Sequence, residues 1–159
     1  MFAVLRATSL KLCSGMGLVV LACTVSAGTP ATPSDKQNPA ITLDQGKQWA
    51  TDEAVRQGME SIRQTLMASQ ERIKNEQLNA QDYQRLADAI DKNLADIVKN
   101  RKVSKESEKA FHLVVMIDMK HNLEMMRTAT TVKLQRVGAL GALQSLRLYG
   151  GYFQHPGWV

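Results

Sequence analysis

"TDEAVRQGMESIRQTLMASQERIKNEQ", residues 51–77, carries the pattern that decides the fold. Its large apolar residues recur at spacings of three, four and seven: Val55, Met59, Ile62, Leu66 and Ile73. Such spacing puts them on one side of an α-helix, where a neighbouring helix can bury them. Thr51, with acidic residues directly after it, is the expected N-cap. The segment is therefore predicted to be a long amphipathic helix.

Two further helices follow the same rule. Asn79 is the expected N-cap of the second helix, and Ser104 is that of the third. The second helix repeats the apolar stripe at Tyr83, Leu86, Ile90, Leu94 and Ile97. No segment alternates apolar and polar residues in the manner of a β-strand. Proline is absent between Ala40 and Pro156, so nothing interrupts the helices from within.

A fourth helix is predicted to start near Thr130 or Thr131 and to run to about Tyr149, with Gly150-Gly151 as its stop. Short connections make sequential helices antiparallel neighbours. The predicted fold class is therefore all-α, an up-down-up-down antiparallel four-helix bundle. A pair of helical hairpins that forms a homodimer is the alternative.

The first residues have the features of an export signal. Arg6 and Lys11 precede an uncharged run over residues 12–27 that ends in a small-x-small cleavage pattern. This run is shorter than the roughly 20 residues of a membrane-spanning helix. Residues 1–27 are interpreted as a signal peptide cut after Ala27. Acylation at Cys23, which would make a lipoprotein, is the alternative.

Cleavage after Ala27 would remove both cysteines, Cys13 and Cys23, and leave no thiol in the mature chain. The whole sequence has 20 Lys and Arg against 15 Asp and Glu, and two of the basic residues lie in the signal. A mildly basic exported domain gives no reason to expect nucleic acid as a partner. Residues 28–41, rich in Pro, Thr and Ser, are predicted to be a disordered leader, and residues 42–159 a single helical domain with an aromatic tail. No transmembrane segment is expected after signal removal.

"FHLVVMIDMKHNLEMM", residues 111–126, holds two histidines and four methionines. On a regular helix one stripe forms that should face the core: His112, Met116, Met119, Leu123 and Met126. The stripe has two interpretations. Methionine is a good filler of irregular core gaps. Thioether and imidazole groups also bind copper, for which Met59 or Met67 of the first helix would add a third ligand.

The start of the first helix and the end of the fourth should lie at the same end of the bundle. Met59 and His155 would then be near each other, an arrangement like the Met/His ligation of b-type haem in cytochrome b562-like bundles. His155, however, follows Gly150-Gly151 and should lie beyond the helix. The aromatic tail around it, residues 149–158, is predicted to plug the end of the core. A small apolar pocket edged by His155 is the alternative.

Glycines within the fourth helix, Gly138 and Gly141, are expected where a neighbouring helix approaches closely. The sequence contains no recognisable catalytic motif: no G-x-S-x-G, no H-E-x-x-H, no phosphate-binding loop and no Glu-x-x-His pair. We therefore expect a protein that is not an enzyme.

Four phrases of the chain resemble a family of small exported proteobacterial proteins labelled DnrO-like: "LDQGKQWATDEAVRQGMESIR", "DYQRLADAI…ADIVKN", "FHLVV" and "LRLYGGYFQHPGW". The resemblance spans Leu43 to Trp158 and implies export and a helical architecture, without an established activity. Members often have a cysteine just after the "IV-x-N" phrase, where this chain has Arg101, so a thiol role does not carry over.

The function expected from the sequence is a periplasmic four-helix-bundle protein with a non-catalytic binding or accessory role, acting on an unidentified protein or small ligand. The alternative is a copper or haem carrier, with Met59, His112, Met116, Met119 and His155 as the candidate metal ligands. A third hypothesis is a shield for unfolded clients, which would need an unusually large exposed apolar surface.

Overall fold

The structure is a computed structural model, and it describes residues 42–158. The predicted signal peptide, the predicted leader and the possible acylation site lie outside the described residues. Within 42–158 the chain is helical and contains no strand, and its helices are α1 (Glu53–Lys74), α2 (Ala80–Asn100), α3 (Lys105–Phe111), α4 (Ile117–Thr128) and α5 (Val132–Tyr152). A π-helical turn, His112–Met116, joins α3 to α4 without a break, so the chain forms four helical rods. The all-α four-helix fold is confirmed.

The apolar stripes predicted for α1 and α2 are confirmed residue by residue. All five predicted positions of α1 are buried, from Val55 to Ile73, and so are all five of α2, from Tyr83 to Ile97. Because both helices keep a regular period of 3.6 residues, their sequence spacing translates directly into one buried face. Together they supply much of the core.

Helix caps follow the predictions with one correction. Asn79 and Asp82 form a reciprocal capping box, and Ser104 and Thr131 each accept a hydrogen bond from the backbone three residues on. The N-cap of α1 is Asp52, one residue later than predicted, and its carboxylate accepts from the Val55 N–H at 2.8 Å. The same carboxylate accepts from the backbone N–H of Lys102, which ties the start of α1 to the end of α2.

Contacts between helix ends give the pairing of neighbours. Arg136, in the first turns of α5, donates to the carbonyl of Ile73 at the end of α1. Gln84, near the start of α2, donates to the carbonyl of Arg127 at the end of α4. These are contacts that antiparallel neighbours make. They support the up-down-up-down order, which stays a prediction.

The close approach predicted at the glycines of α5 is confirmed. A β-carbon at Gly138 would lie 2.7 Å from the backbone oxygen of Asn122, and one at Gly141 would lie 2.2 Å from that residue's side-chain oxygen. Only glycine allows α4 and α5 to approach so closely. Within residues 42–158 no helix combines the length and the apolar character required to cross a membrane.

Candidate functional site

The tail that follows α5 closes one end of the core with aromatic rings. Tyr149 and Phe153 stack with ring centroids 5.3 Å apart, and Phe111 meets Phe153 edge-on at 5.7 Å. All three rings are buried. The predicted aromatic plug is therefore confirmed for Tyr149 and Phe153, and we call this the aromatic end of the bundle.

A short backbone bridge fixes the tail to the segment before α1. The Trp49 N–H donates to the carbonyl of Tyr152 at 2.8 Å, and the Gln154 N–H donates to the carbonyl of Trp49 at 2.9 Å. The helix itself runs through Gly150-Gly151 to Tyr152, so the prediction that these glycines stop it was wrong. The ring of Trp158 packs over one of them, Gly150.

Trp158 returns to the surface of α5 through a turn. Gly157 takes a left-handed conformation, with φ at +81°, and the Trp158 N–H donates to the carbonyl of His155 at 3.0 Å. The indole then lies directly over Gly150, where an added β-carbon would be 2.5 Å from the indole Cδ1. Its ring meets Tyr149 edge-on at 4.7 Å. Trp158 nevertheless remains half-buried, since its outer part faces a groove.

That groove runs between α1 and α5 and measures about 420 Å³. We call it the Trp158 groove. Its lining includes four apolar side chains and two arginines: Met67, Leu143, Leu146, Trp158, Arg63 and Arg147. The volume and the mixture of an apolar lining with a few polar groups are typical of small-molecule sites. Sequence reasoning missed this groove; the glycine pair at 150–151, which lies seven to eight residues before Trp158, was the available signal.

Arg63 forms one wall of the Trp158 groove. Its guanidinium donates two hydrogen bonds to Glu60, at 2.8 and 2.9 Å, and lies over the Trp158 ring at 5.5 Å from the centroid. The hydrogen bond from Arg63 lowers the pKa of the Glu60 carboxyl. Arg63, fixed by Glu60, therefore contacts one side of the indole of Trp158 through a cation–π interaction. The ring packs against Gly150 as well.

His155 lies in a different and more polar cleft. Its Nδ1 is 3.0 Å from the hydroxyl of Tyr149, and its ring faces a cleft shared with Glu53, Arg56 and Glu60. Burial lowers the pKa of His155, so the neutral imidazole is favoured in its pairing with the tyrosine hydroxyl. Burial likewise raises the pKa of Tyr149. The alternative of an apolar pocket edged by His155 is not borne out, because charged and polar side chains line most of the cleft at His155.

The candidate metal ligands of the third helical rod do not share one face. His112 is exposed, Met116 is half-buried and Met119 has no exposed surface. The prediction that His112 faces the core was wrong. The π-helical turn, in which the Ile117 N–H donates to the His112 carbonyl, adds one residue to the turn and rotates the chain before it. Phe111 consequently takes the buried position that the regular spacing assigned to His112.

The remaining candidates lie in different surroundings. Met59 has no exposed surface and belongs to the core stripe of α1. His155 follows the end of α5, as the sequence predicted, and its Nδ1 is engaged by Tyr149. In the part of the chain that the structure describes, no group of three His, Cys, Asp or Glu side chains is placed to hold a metal ion. Thioether ligation by the methionines stays an untested hypothesis.

Comparison with known proteins found no matching family model, no matching curated protein and no matching solved structure. The DnrO-like resemblance stays a prediction from the sequence phrases.

Proposed function

We propose that this protein is exported to the periplasm and acts there as a non-catalytic binding protein, with the Trp158 groove as its ligand site. The observation that carries the proposal is the placement of Trp158. A tail that served only as a plug would bury its largest ring, yet Tyr149 and Phe153 fill the core while Trp158 stays half-buried beside a groove of about 420 Å³. Tryptophan, apolar with one polar edge, is well suited to such a wall.

The polar groups nearby favour binding over catalysis. The ring nitrogen of His155 pairs with the hydroxyl of Tyr149, not with a serine or a cysteine that could act as a nucleophile. Burial raises the pKa of that tyrosine, which makes it a poor proton donor at neutral pH. The apolar groove itself is walled by arginines and Gln70, which orient ligands without exchanging protons.

Binding is tested with N-phenyl-1-naphthylamine, a neutral apolar dye whose fluorescence rises in an apolar site. The full chain, recovered from the periplasm of a bacterial host, should bind it at one site. Gly150→Ala should weaken binding about tenfold or more, because the added methyl group displaces the indole of Trp158 from its position over residue 150. Gly151→Ala is the matched control, since nothing lies within 4 Å of an added β-carbon there, and its affinity should be unchanged.

Equal affinity in Gly150→Ala, Gly151→Ala and the parent chain would remove the groove from consideration as the ligand site. A native mass spectrum of the same preparation tests the other parts of the proposal. A mature chain that begins at Gly28 supports export and cleavage, and the subunit count decides between a monomer and a homodimer. Protein retained in the cytoplasm with residues 1–27 intact would contradict export.

The copper- or haem-carrier alternative receives less support from the geometry. The exposed His112 and the buried Met119 lie in different surroundings, and His155 is already paired with Tyr149. The mass spectrum also tests this alternative directly, because a stoichiometric copper or haem adduct would favour it over the binding of an organic ligand.

A further inference from the structure

We infer that the Trp158 groove selects an amphipathic organic anion: a small molecule with one negatively charged head and a flat or linear apolar body. This inference rests on the proposed function and adds the chemical class of the ligand. The head would lie at Arg147, and the body would lie along Leu143, Leu146 and the indole of Trp158. Three features of the groove favour such a ligand: its charge, the way each arginine is engaged, and its apolar floor.

The charged side chains that line the groove are all positive. Two arginines line it, and no Asp or Glu side chain is among its lining residues. Helix α5, which forms one whole side, contains Lys133, Arg136 and Arg147 but no acidic residue in its 21 positions. A cationic ligand would therefore meet like charge from the groove wall, whereas an anion would meet opposite charge.

The two arginines are engaged differently. Arg63 is neutralised by its two hydrogen bonds to Glu60 and is fixed over the indole. Arg147 has one long contact, at 3.4 Å, to the side-chain oxygen of Gln144, and within residues 42–158 no carboxylate lies within ion-pair distance of it. Arg147 is thus the cation available to a ligand. Its planar fork of donors matches a carboxylate, sulfonate or phosphate head.

The floor of the groove is apolar. Leu146 is only 5% exposed, Leu143 packs partly buried against the core, and Met67 contributes an exposed thioether from α1. An apolar body placed here removes these surfaces from water, and methionine adapts to bodies of different shape. Head and body together require a molecule that is charged at one end only.

We assign the ligand as a free molecule and not as a membrane surface. The groove is concave between α1 and α5, with Trp158 and Gln70 as walls, and its volume of about 420 Å³ lies in the range of drug-sized ligands. A flat lipid surface would instead need a protruding apolar face with several free cations around it.

The test compares two dyes with the same aromatic body. 8-Anilinonaphthalene-1-sulfonate carries a sulfonate, and N-phenyl-1-naphthylamine lacks it. The full chain should bind the sulfonate dye about tenfold more tightly than the neutral dye, and added salt should reduce this difference. Arg147→Gln should abolish the preference for the sulfonate dye, because it should lower the affinity for that dye far more than the affinity for the neutral dye. Lys133→Gln, at an exposed cation of the same helix away from the groove, should change neither affinity.

Each failure has a different meaning. Equal affinity for the two dyes, with no effect of Arg147→Gln, would overturn the anion assignment while the proposed groove stands. Binding of both dyes that is insensitive to Gly150→Ala would overturn the groove itself. Vesicles of anionic phosphatidylglycerol are the last arm: they should neither sediment with the protein nor displace the sulfonate dye. If they do both, the site belongs to a membrane surface and the assignment to a free molecule is wrong.

Discussion

At the end of the bundle where α5 finishes, stacked rings close the core, whereas at the end where α5 begins an arginine does so through hydrogen bonds. We call the latter the polar end. There, Arg136 donates to the carbonyls of Ile73 at 2.8 Å and Lys74 at 3.0 Å, and it pairs with Glu76 at 3.3 Å. These carbonyls belong to the last turn of α1, where backbone acceptors lack helical partners.

The two kinds of closure contribute differently to the structure. Hydrogen bonds depend on direction, so the polar end fixes how α5 is aligned with α1. Ring packing depends mainly on buried area, so the aromatic end tolerates partial exposure. It can therefore leave one ring, Trp158, half-buried beside a groove. Four predictions sharpen or break this comparison, in order of decreasing expected effect.

Removing a ring should cost the most. Phe153 is 2% exposed, and Phe153→Ala should lower the free energy of unfolding by about 3–5 kcal/mol, because it leaves a cavity that rigid helices cannot fill. Denaturant titration followed by circular dichroism measures the loss. Phe153→Leu, which keeps most of the volume, should cost less than about 1.5 kcal/mol. A loss below about 1 kcal/mol for the alanine variant would mean that the rings are not the closure of this end.

At the polar end, Arg136→Ala should lower the free energy of unfolding by about 1.5–3 kcal/mol, the range for hydrogen bonds to a charged group. Arg136 is one quarter exposed, so we expect the lower part of that range. Lys133→Ala, one turn earlier and exposed, is the control and should stay within about 0.5 kcal/mol of the parent chain. Equal stability of the two variants would show that the α1 carbonyls are satisfied equally well by water.

The two neighbouring glycines of α5 should respond differently to substitution by alanine. Gly151→Ala should raise the free energy of unfolding by up to about 1 kcal/mol, because alanine favours a helix and nothing obstructs its methyl group. Gly150→Ala should lose that gain, since its methyl would lie 2.5 Å from the Trp158 ring. Thermal melts of both variants measure the difference. Stabilisation of both by the same amount would mean that the indole does not rest on α5.

The smallest effect should be a pH dependence confined to the aromatic end. The unfolded chain protonates His155 near pH 6.5, whereas burial lowers the pKa of His155 in the fold. The unfolded state therefore binds more protons just below about pH 6.5, so the free energy of unfolding should fall as the pH falls from there. Arginine stays charged in this range, so the polar end should contribute nothing.

Melting temperatures at about pH 7.5 and about pH 5.5 bracket this window. His155→Gln should reduce the difference between the two temperatures, because it removes the titrating group. If the difference is the same with and without the imidazole, folding does not lower the pKa of His155.

The sequence predicted what a constant helical period controls. The buried faces of α1 and α2 follow from spacing alone, and the caps at Asn79, Ser104 and Thr131 follow from local hydrogen-bonding chemistry. The third rod departs from that period. Because the turn His112–Met116 contains one extra residue, Phe111 lies in the core position that was predicted for His112. Spacing rules assume 3.6 residues per turn, so they cannot foresee the insertion.

The groove was beyond sequence reasoning for a different reason. Gly150 has the appearance of a helix stop, and Trp158 that of a tail residue. Their contact depends on a turn at Gly157 that folds the indole back onto α5. Arg63 then joins from a helix almost a hundred residues earlier. Contacts between such distant positions depend on tertiary packing, which local patterns do not encode.

The bridge between Trp49 and the tail also determines when the groove can form during synthesis of the chain. Gln154 and Gln48, which hydrogen-bond beside that bridge, are 106 positions apart. At about 5–20 residues per second, a ribosome needs about 5–20 s to synthesise the chain between them. During that interval α1 and α2 can already pair, whereas the backbone of Trp49 has no partner in the tail and Arg63 has no indole to cover. The binding surface is therefore the last part of the domain that can form. A chain interrupted before the tail would have helices but no ligand site.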